Sequence, residues 1–191
     1  MRLLHFALRA EAQAFIEVLN ASPYPLNTLP SYAKAFRSDD NTVLLIGGIG
    51  QEATRTALEA FFKTHRDIDR AFNIGIAGCN DTSVPVGTLF SYLPYRPDSA
   101  APPIKTSVAP ATRSDTKQTT LHDMECAAFY DTVQAYVAPE RIGVFKIVSD
   151  HLSDAVPSKA FVKALMIPHR RRIVQTVDLF SESQHHFINV F

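Results

Sequence analysis

The chain has 191 residues, of which 46% are hydrophobic and 20% are charged, the composition of an ordinary globular protein. Nineteen basic and nineteen acidic residues give a formal net charge of zero, which argues against a nucleic-acid backbone or an anionic membrane surface as the partner. A chain of this length can bury a sizeable core, so we expect residues 1–191 to form a single domain.

The two cysteines, Cys79 and Cys126, have neither CxxC spacing nor a histidine at zinc-finger spacing. Both lie in segments rich in small apolar residues, so we expect buried free thiols. His185 and His186 have no third ligand near them, and we therefore predict no metal and no cofactor. The N-terminus is a poor signal peptide and no apolar run is long enough to span a membrane, which predicts a cytoplasmic protein.

Strand-like and helix-like patterns alternate along the chain. Strands are predicted over residues 2–8, 42–46, 70–76, 89–93 and 141–148, and helices after residue 11 and over 52–63, 123–138 and 158–167, with a last helix to about residue 183. Residues 32–38 and 104–108 fit a strand or a loop, and the proline-rich residues 94–103 predict a surface loop. This alternation predicts an α/β fold, a three-layer α/β/α sandwich with a central mixed, mostly parallel sheet.

Three acids follow predicted strands or open predicted helices. Glu11 follows the first strand, Asp150 follows the strand that ends in VFKIVSD, and Glu125 lies in LHDMECAAFY at the start of a helix, after a Met124 that we expect to point into the protein. An acid at a helix start can simply interact favourably with the helix dipole. Three acids just past strand ends, however, are typical of how an open α/β sheet builds a ligand site.

The glycine turn Gly47-Gly48-Ile49-Gly50 lies between a strand and a helix. Backbone N–H groups at such a turn can cradle a phosphate, although the Gly-Lys-Ser/Thr of a P-loop is missing. The alternative is that the glycines only allow a tight turn and close helix packing.

Four segments in this order resemble the nucleoside phosphorylase and nucleosidase superfamily, especially its methylthioadenosine/S-adenosylhomocysteine nucleosidase branch. They are FALRAEAQAF, VLLIGGIGQEATRTAL, AFNIGIAGCNDTSVPVGTLF, and the pair HDMECAAFY and VFKIVSDHLSD. The resemblance covers most of the chain and implies cleavage of the N-glycosidic bond of a purine nucleoside or a 5′-substituted nucleoside. It also implies a small-molecule nucleoside as the partner and a homodimer or higher homo-oligomer.

The resemblance also assigns roles to particular positions. Glu11 would position or deprotonate the attacking water, and Asp150, helped by Ser149, would protonate the purine N7 or hydrogen-bond to it. Met124 would pack under the sugar and Glu125 would accept hydrogen bonds from the ribose hydroxyls. The remaining expected substrate contacts are backbone groups of Gly48, Ala77 and Gly78.

The sequence departs from the family in its middle. The stretch from Gly87 to Met124 is shorter than usual, so residues 94–120 must supply the contacts to the base. Asn73 stands where phosphorylase relatives usually have an arginine, which favours water over phosphate as the nucleophile. Arg55 and Arg113 are still candidate anion ligands, so a phosphate-dependent phosphorylase remains an alternative, as does a non-catalytic nucleoside-binding protein. His122 beside Asp123 fits either a catalytic pair or a helix cap.

Overall fold

The computed structural model of the chain describes residues 1–94, 96–97, 101–153 and 155–179. Its strands are β1 (Arg2–Phe6), β2 (Ser22–Pro23), β3 (Lys34–Arg37), β4 (Thr42–Ile46), β5 (Arg70–Cys79), β6 (Leu89–Leu93), β7 (Arg96–Pro97), β8 (Ile104–Thr106), β9 (Leu121–Asp123) and β10 (Ile142–Asp150). Its α-helices are α1 (Arg9–Val18), α2 (Gln51–Phe62), α3 (Cys126–Val133), α4 (Lys159–Met166) and α5 (Arg170–Leu179), with a 3-10 turn at Pro139–Arg141.

Within these described residues, ten strands form one sheet, and eight of them follow the order β2-β3-β4-β1-β5-β10-β6-β7. The four central strands β4, β1, β5 and β10 run parallel to one another, and the outer pairs β2–β3, β3–β4, β10–β6 and β6–β7 are antiparallel. β9 pairs antiparallel with the end of β5 and parallel with β8. The predicted mixed, mostly parallel sheet is therefore confirmed in its core.

Helices cover both faces of the sheet. Alternate side chains of β1 point to opposite faces, as strand geometry requires. Leu4 and Phe6 pack in a core that includes residues of α1, α4 and α5, and Leu3 packs in a second core with residues of α2 and α3. Each face of the sheet is thus buried under its own helical layer, which gives the predicted three-layer α/β/α sandwich. No helix of the described residues is long and apolar enough to cross a membrane.

The predicted helix over residues 123–138 is wrong at its start. Residues 121–123 form β9 instead, because Leu121 and His122 pair with Cys79 and Gly78 at the end of β5. The same pairing extends β5 three residues beyond its predicted end at Ile76. Helix α3 begins only at Cys126, so Asp123, Met124 and Glu125 lie in the passage from strand to helix.

The predicted end of this helix at residue 138 is wrong as well, because α3 ends at Val133. Residues 32–38 and 104–108 each contain a short strand, and the expected surface loop at 94–103 contains the two-residue β7. Cys79 is buried as predicted, whereas Cys126 is only partly buried, and both are free thiols. The predicted end of the last helix near residue 183, together with His185 and His186, lies outside the described residues.

Candidate functional site

Three parallel strands deliver the candidate acids to one edge of the sheet. β1, β5 and β10 are neighbours, and the carboxyl ends of parallel strands lie at the same edge. Glu11 follows β1, Ala77 and Gly78 lie at the end of β5, and Ser149 and Asp150 end β10. This edge is where ligands bind in open α/β folds.

Glu11 is the third residue of α1 and is only 2% exposed. Its Oε2 accepts hydrogen bonds from the backbone N–H groups of Ala7 (3.1 Å) and Leu8 (2.8 Å), and its Oε1 accepts from Ile76 N–H (3.0 Å). The bond from Leu8, the N-cap residue, is the acidic half of a capping box. The bond from Ile76 reaches a different strand, so the carboxylate joins β1 to β5 at the edge of the sheet.

Burial raises the pKa of Glu11 from 4.5 to about 7, against the lowering effect of the N–H groups of Ile76 and Leu8. The nearby carboxylate of Glu125 raises this pKa further, and the ammonium of Lys146 lowers it. A carboxyl group that exchanges its proton near neutral pH is suited to general acid–base chemistry.

Gly75 leaves room for the side chains of Glu11 and Lys146. A Cβ atom at Gly75 would lie 2.9 Å from Oε1 of Glu11 and 3.6 Å from Nζ of Lys146. The carboxylate and the ammonium therefore approach the same stretch of bare backbone. Any side chain at this position would displace at least one of them.

Lys146 is a site residue that the sequence analysis missed. It is 1% exposed, and its Nζ lies 2.7 Å from Oδ2 of Asp123, whose side chain is fully buried. Burial favours the neutral lysine, yet the neighbouring carboxylates outweigh it and raise the pKa of Lys146 above its usual value. A lysine inside the apolar run VFKIV was the available signal, because lysines are almost never fully buried without a partner.

Asp123 does not pair with the adjacent His122. Its Oδ1 accepts from Thr106 Oγ1 (2.7 Å), and its Oδ2 accepts from Lys146 and from Cys126 N–H (2.8 Å), which caps α3. His122 lies at the opposite side of the strand, with Nε2 3.3 Å from Ser114 Oγ. Although burial raises the pKa of Asp123, Lys146 and these hydrogen bonds lower it overall, so this carboxylate is ionised.

Glu125 connects the starts of two helices. It is 7% exposed, and its Oε1 accepts a 2.8 Å hydrogen bond from the backbone N–H of Gly50, the N-cap of α2. Burial raises the pKa of Glu125, and Lys146 and Gly50 N–H oppose the rise. Met124 is half-buried, and its Cε lies 4.0 Å from where a Cβ of Gly50 would be. The glycine turn is therefore engaged by a carboxylate of the protein itself.

Asp150 and Ser149 lie on the other side of the β5 strand end. Asp150 is half-buried, its Oδ2 accepts from Ser149 Oγ (2.6 Å), and its Oδ1 accepts from Ser153 N–H (3.0 Å). A Cβ at Gly78 would lie 3.2 Å from Asp150 Oδ1, so bare backbone again faces a carboxylate. Asp154, the last residue of the segment VFKIVSDHLSD, lies outside the described residues.

The candidate anion ligands do not join this cluster. Arg55 and Arg113 are exposed to solvent. Asn73 is buried, and its Nδ2 donates to Nδ1 of His5 (2.9 Å), a histidine whose burial lowers its pKa to about 3 and keeps it neutral. Among the described residues, no group of three or more His, Cys, Asp or Glu side chains could hold a metal ion.

A cavity of about 730 Å³ adjoins the cluster. Its walls include Ala7 and Leu8, whose N–H groups bind Glu11, and the glycine turn at Gly48 and Ile49. Gly48 has φ of +91°, a conformation that favours glycine, and a Cβ there would lie 3.1 Å from Tyr32 and from Ala53. The volume suits a small-molecule ligand.

We expect Lys146→Met to destabilise the protein by about 3–5 kcal/mol, because it leaves the carboxylate of Asp123 buried without its cation. The double variant Lys146→Met/Asp123→Asn should recover part of this loss, since it buries no unpaired charge. Urea unfolding of both single variants and the double variant measures the coupling. Strictly additive losses would show that the two groups do not form the pair.

The fold was compared with known proteins. No protein-family model matches the chain, and no curated protein matches its sequence. Solved structures do match. Futalosine hydrolase of Helicobacter pylori superposes with a TM-score of 0.70 at 12% identity, over 93% of this chain and 97% of the other. The 5′-methylthioadenosine nucleosidase of Arabidopsis thaliana gives 0.72 at 13% identity, over 94% and 95%.

A third similar structure is the 5′-methylthioadenosine/S-adenosylhomocysteine nucleosidase of S. pneumoniae with a transition-state inhibitor. Its TM-score is 0.65 at 16% identity, over 94% of this chain and 98% of the other. At sequence identities this low, the similarity shows a common backbone fold and does not by itself show a common activity. The superpositions extend over almost the whole of each chain. The chain therefore has the nucleoside phosphorylase-like fold that these nucleosidases share.

Proposed function

We propose that the protein hydrolyses the N-glycosidic bond of a purine nucleoside or 5′-substituted nucleoside, releasing the free base and the sugar. The observation that carries the proposal is Glu11, a buried carboxyl group with a pKa raised to about 7 at the C-terminal edge of the sheet. The resemblance of the four sequence segments and the similarity to solved nucleosidases support the same reaction.

The chemistry requires two groups with opposite tasks. Cleavage of the bond builds positive charge on the sugar and negative charge on the leaving base. In our proposal ionised Glu11 takes the proton of the attacking water, and Asp150, hydrogen-bonded to Ser149, protonates the base or hydrogen-bonds to its N7. When Asp150 has given its proton to the base, the base leaves in its neutral form, the water oxygen is bound to the sugar and Glu11 holds the proton of the water.

The remaining proposed contacts hold the nucleoside. Glu125 would accept hydrogen bonds from the ribose hydroxyls, with Met124 beneath the sugar. Gly48, Ala77 and Gly78 would present backbone to the substrate, since none of them has a side chain larger than a methyl group. Asp123 and Lys146 would act as positioning residues, because their ion pair lies close to the carboxylates of Glu11 and Glu125.

Electrostatics favours water over phosphate as the nucleophile. Three carboxylates, Glu11, Asp123 and Glu125, surround the single ammonium of Lys146, and Asp123 already neutralises it. The Gly50 N–H at the start of α2, which could have bound a phosphate, is taken by Glu125. A phosphate dianion would enter a site whose nearest charges are predominantly negative, which is unfavourable at these distances.

The test is release of free base by the purified protein from a nucleoside panel, with and without phosphate. The panel holds methylthioadenosine, S-adenosylhomocysteine, adenosine, inosine, guanosine and futalosine. We expect release at full rate without phosphate, because the acidic cluster selects water. Release that requires phosphate would replace the hydrolase with a phosphorylase. Ligand-induced thermal stabilisation without any product would instead indicate a nucleoside-binding protein that lacks turnover.

Further parts of the proposal concern the whole molecule. We infer that residues 1–191 act as one nucleoside phosphorylase-like domain, as a homodimer or higher homo-oligomer, in the cytoplasm. The even charge balance and the resemblance to the superfamily support these statements. Neither a nucleic acid nor a membrane is proposed as a partner.

A further inference from the structure

Three neighbouring strands place Asp150, Gly78 and His122 in one row at the edge of the sheet. Gly78 of β5 is paired with Asp150 of β10 on one side and with His122 of β9 on the other. Opposed residues of an antiparallel pair have their side chains on the same face, with Cβ atoms about 5 Å apart. Oδ1 of Asp150 lies 3.2 Å from the position of a Cβ at Gly78. The imidazole and the carboxyl group therefore share one face, with only the bare backbone of Gly78 between their strands.

A chain of hydrogen bonds determines which nitrogen of His122 carries the proton. Oδ1 of Asn80 accepts from Thr120 N–H (2.7 Å), which fixes the amide so that its Nδ2 donates to Oγ of Ser114 (3.2 Å). Ser114 Oγ also accepts from Thr116 N–H (3.4 Å), so its own proton is available to Nε2 of His122, 3.3 Å away. Nε2 is then the acceptor, and Nδ1 of the neutral ring carries the proton.

His122 is therefore a neutral hydrogen-bond donor beside Asp150. Burial and the ammonium of Lys105 lower the pKa of His122, against the opposing effect of Asp115. The residue is only 6% exposed, and within the described part of the chain its Nδ1 makes no hydrogen bond. A donor on a nearly buried ring costs free energy unless an acceptor reaches it, so this position favours a ligand with an acceptor atom.

We propose that His122 selects the base of the nucleoside, with its Nδ1–H donating a hydrogen bond to the O6 oxygen of a 6-oxopurine. The inference rests on the proposed function, in which Asp150 lies at N7 of the same base. N7 and O6 are adjacent acceptors on one edge of a 6-oxopurine, whereas adenine has an amino group in place of O6. That amino group would face the N–H of His122 as a second donor. Leu152, whose Cδ2 lies 3.0 Å from the Cβ position of Gly78, offers the ring an apolar contact.

Two nucleosides that differ only at position 6 of the base, 5′-methylthioinosine and 5′-methylthioadenosine, test the proposal on the purified full chain. We expect kcat/KM to be about tenfold higher for 5′-methylthioinosine, since one hydrogen bond is gained where adenine leaves the donor unpaired. Because the two bases also differ as leaving groups, equilibrium binding of free hypoxanthine and free adenine is measured as well. Hypoxanthine should bind about tenfold more tightly. Equal or lower values for the hypoxanthine compound in either measurement overturn the inference.

Variants of His122 and Ser114 test the donor directly. His122→Leu keeps the approximate size of the side chain and removes the N–H, so both preferences for hypoxanthine should fall about tenfold. His122→Asn, whose amide N–H can take the place of the Nδ1–H, should keep most of the preference. Ser114→Ala removes the hydroxyl that keeps the proton on Nδ1, and it should lower the preference about threefold. Unchanged preferences in His122→Leu, or their complete loss in His122→Asn, overturn the assignment to this N–H.

His65→Leu is the matched control. His65 is also 6% exposed, and its ring is also bonded to hydroxyl groups, those of Tyr24 (3.1 Å) and Thr64 (2.9 Å). It follows the far end of α2, a helix of 12 residues and roughly 18 Å whose N-cap contacts Glu125. We expect its base preference to equal that of the wild type. A loss as large as in His122→Leu would be a general effect of removing a buried histidine and would reject the assignment.

The outcomes separate this inference from the proposed function. Release of base from both nucleosides without a preference would retain the nucleosidase and reject the role of His122. Tighter binding of hypoxanthine that is lost in His122→Leu, without release of base from any nucleoside, would retain the base recognition and reject the hydrolysis. Neither release of base nor binding of either free base would reject both.

Discussion

Asp150→Asn is expected to lower the rate of base release about 10³-fold while nucleoside binding changes little. Asparagine keeps the size of the side chain and can still accept the hydrogen bond from Ser153 N–H, but it cannot give a proton to the departing base. Loss of a general acid costs about 10²–10⁴ in rate. Single-turnover release of the base measures the effect, and equilibrium binding of the same nucleoside shows that the site still assembles.

Two further variants sharpen this test. Ser149→Ala removes the 2.6 Å hydrogen bond to Asp150 Oδ2, so it should cost about tenfold in the same assay, between the wild type and Asp150→Asn. Asp115→Asn removes a carboxylate that pairs with Lys105 on the exposed surface, and it should cost no more than about twofold. Asp150→Asn activity above about a tenth of the wild type would remove Asp150 from the proposed machinery.

The positions of the acids at strand ends could be predicted from the sequence, but the residues that surround each acid could not all be predicted. Glu11 and Asp150 were placed at strand ends because apolar runs precede them, and the run that defines a buried strand is a local property. Two of the N–H donors to Glu11, Ala7 and Leu8, are local, but the third is not. This third donor, the N–H of Ile76, is 65 residues away, and the space beside Glu11 exists because Gly75 lacks a side chain. Sequence spacing does not carry that information.

The helix start at Asp123 was predicted wrongly for a related reason. The helical spacing of the following apolar residues placed the start of the helix at Asp123, but Leu121 and His122 pair with the end of β5, and this long-range pairing decides the conformation. The consequence for the site is large. Asp123 is a fixed partner of Lys146 and a cap of α3, so of the two alternatives that the sequence left open, a catalytic pair with His122 and a helix cap, the structure shows the cap.

The glycine turn shows how a correct local prediction can leave the chemistry open. Gly47 to Gly50 do connect a strand to a helix, with positive φ at Gly48 and Gly50. A phosphate cradle and a tight turn look alike in sequence. In the structure Glu125 occupies the Gly50 N–H from 75 residues away, which favours the tight turn over a phosphate cradle.

We expect the pH dependence of kcat/KM to report the ionisation of Glu11. The proposed general base works only as the carboxylate, and its pKa is raised to about 7 by burial. The rate should therefore fall about tenfold for each pH unit below 7. Glu11→Gln should lose about 10²–10³ in rate and lack this acidic limb. Glu17→Gln, on the exposed face of the same helix, should keep the wild-type profile.

The raised pKa of Glu11 also predicts how the free energy of unfolding depends on pH, and the direction is opposite to that of the rate. This comparison distinguishes a catalytic base from an acid with only a structural role. Glu11 has an ordinary pKa of 4.5 in the unfolded chain and a pKa of about 7 in the folded protein, so between these pH values the folded protein holds a proton that the unfolded chain has lost. The free energy of unfolding should therefore fall as pH rises from 4.5 to 7, by about 3 kcal/mol, and stay level above. Glu11→Gln removes this contribution. If urea unfolding of the two proteins shows the same pH dependence while their rates differ, Glu11 does not titrate near 7, and its role is limited to binding the strand ends.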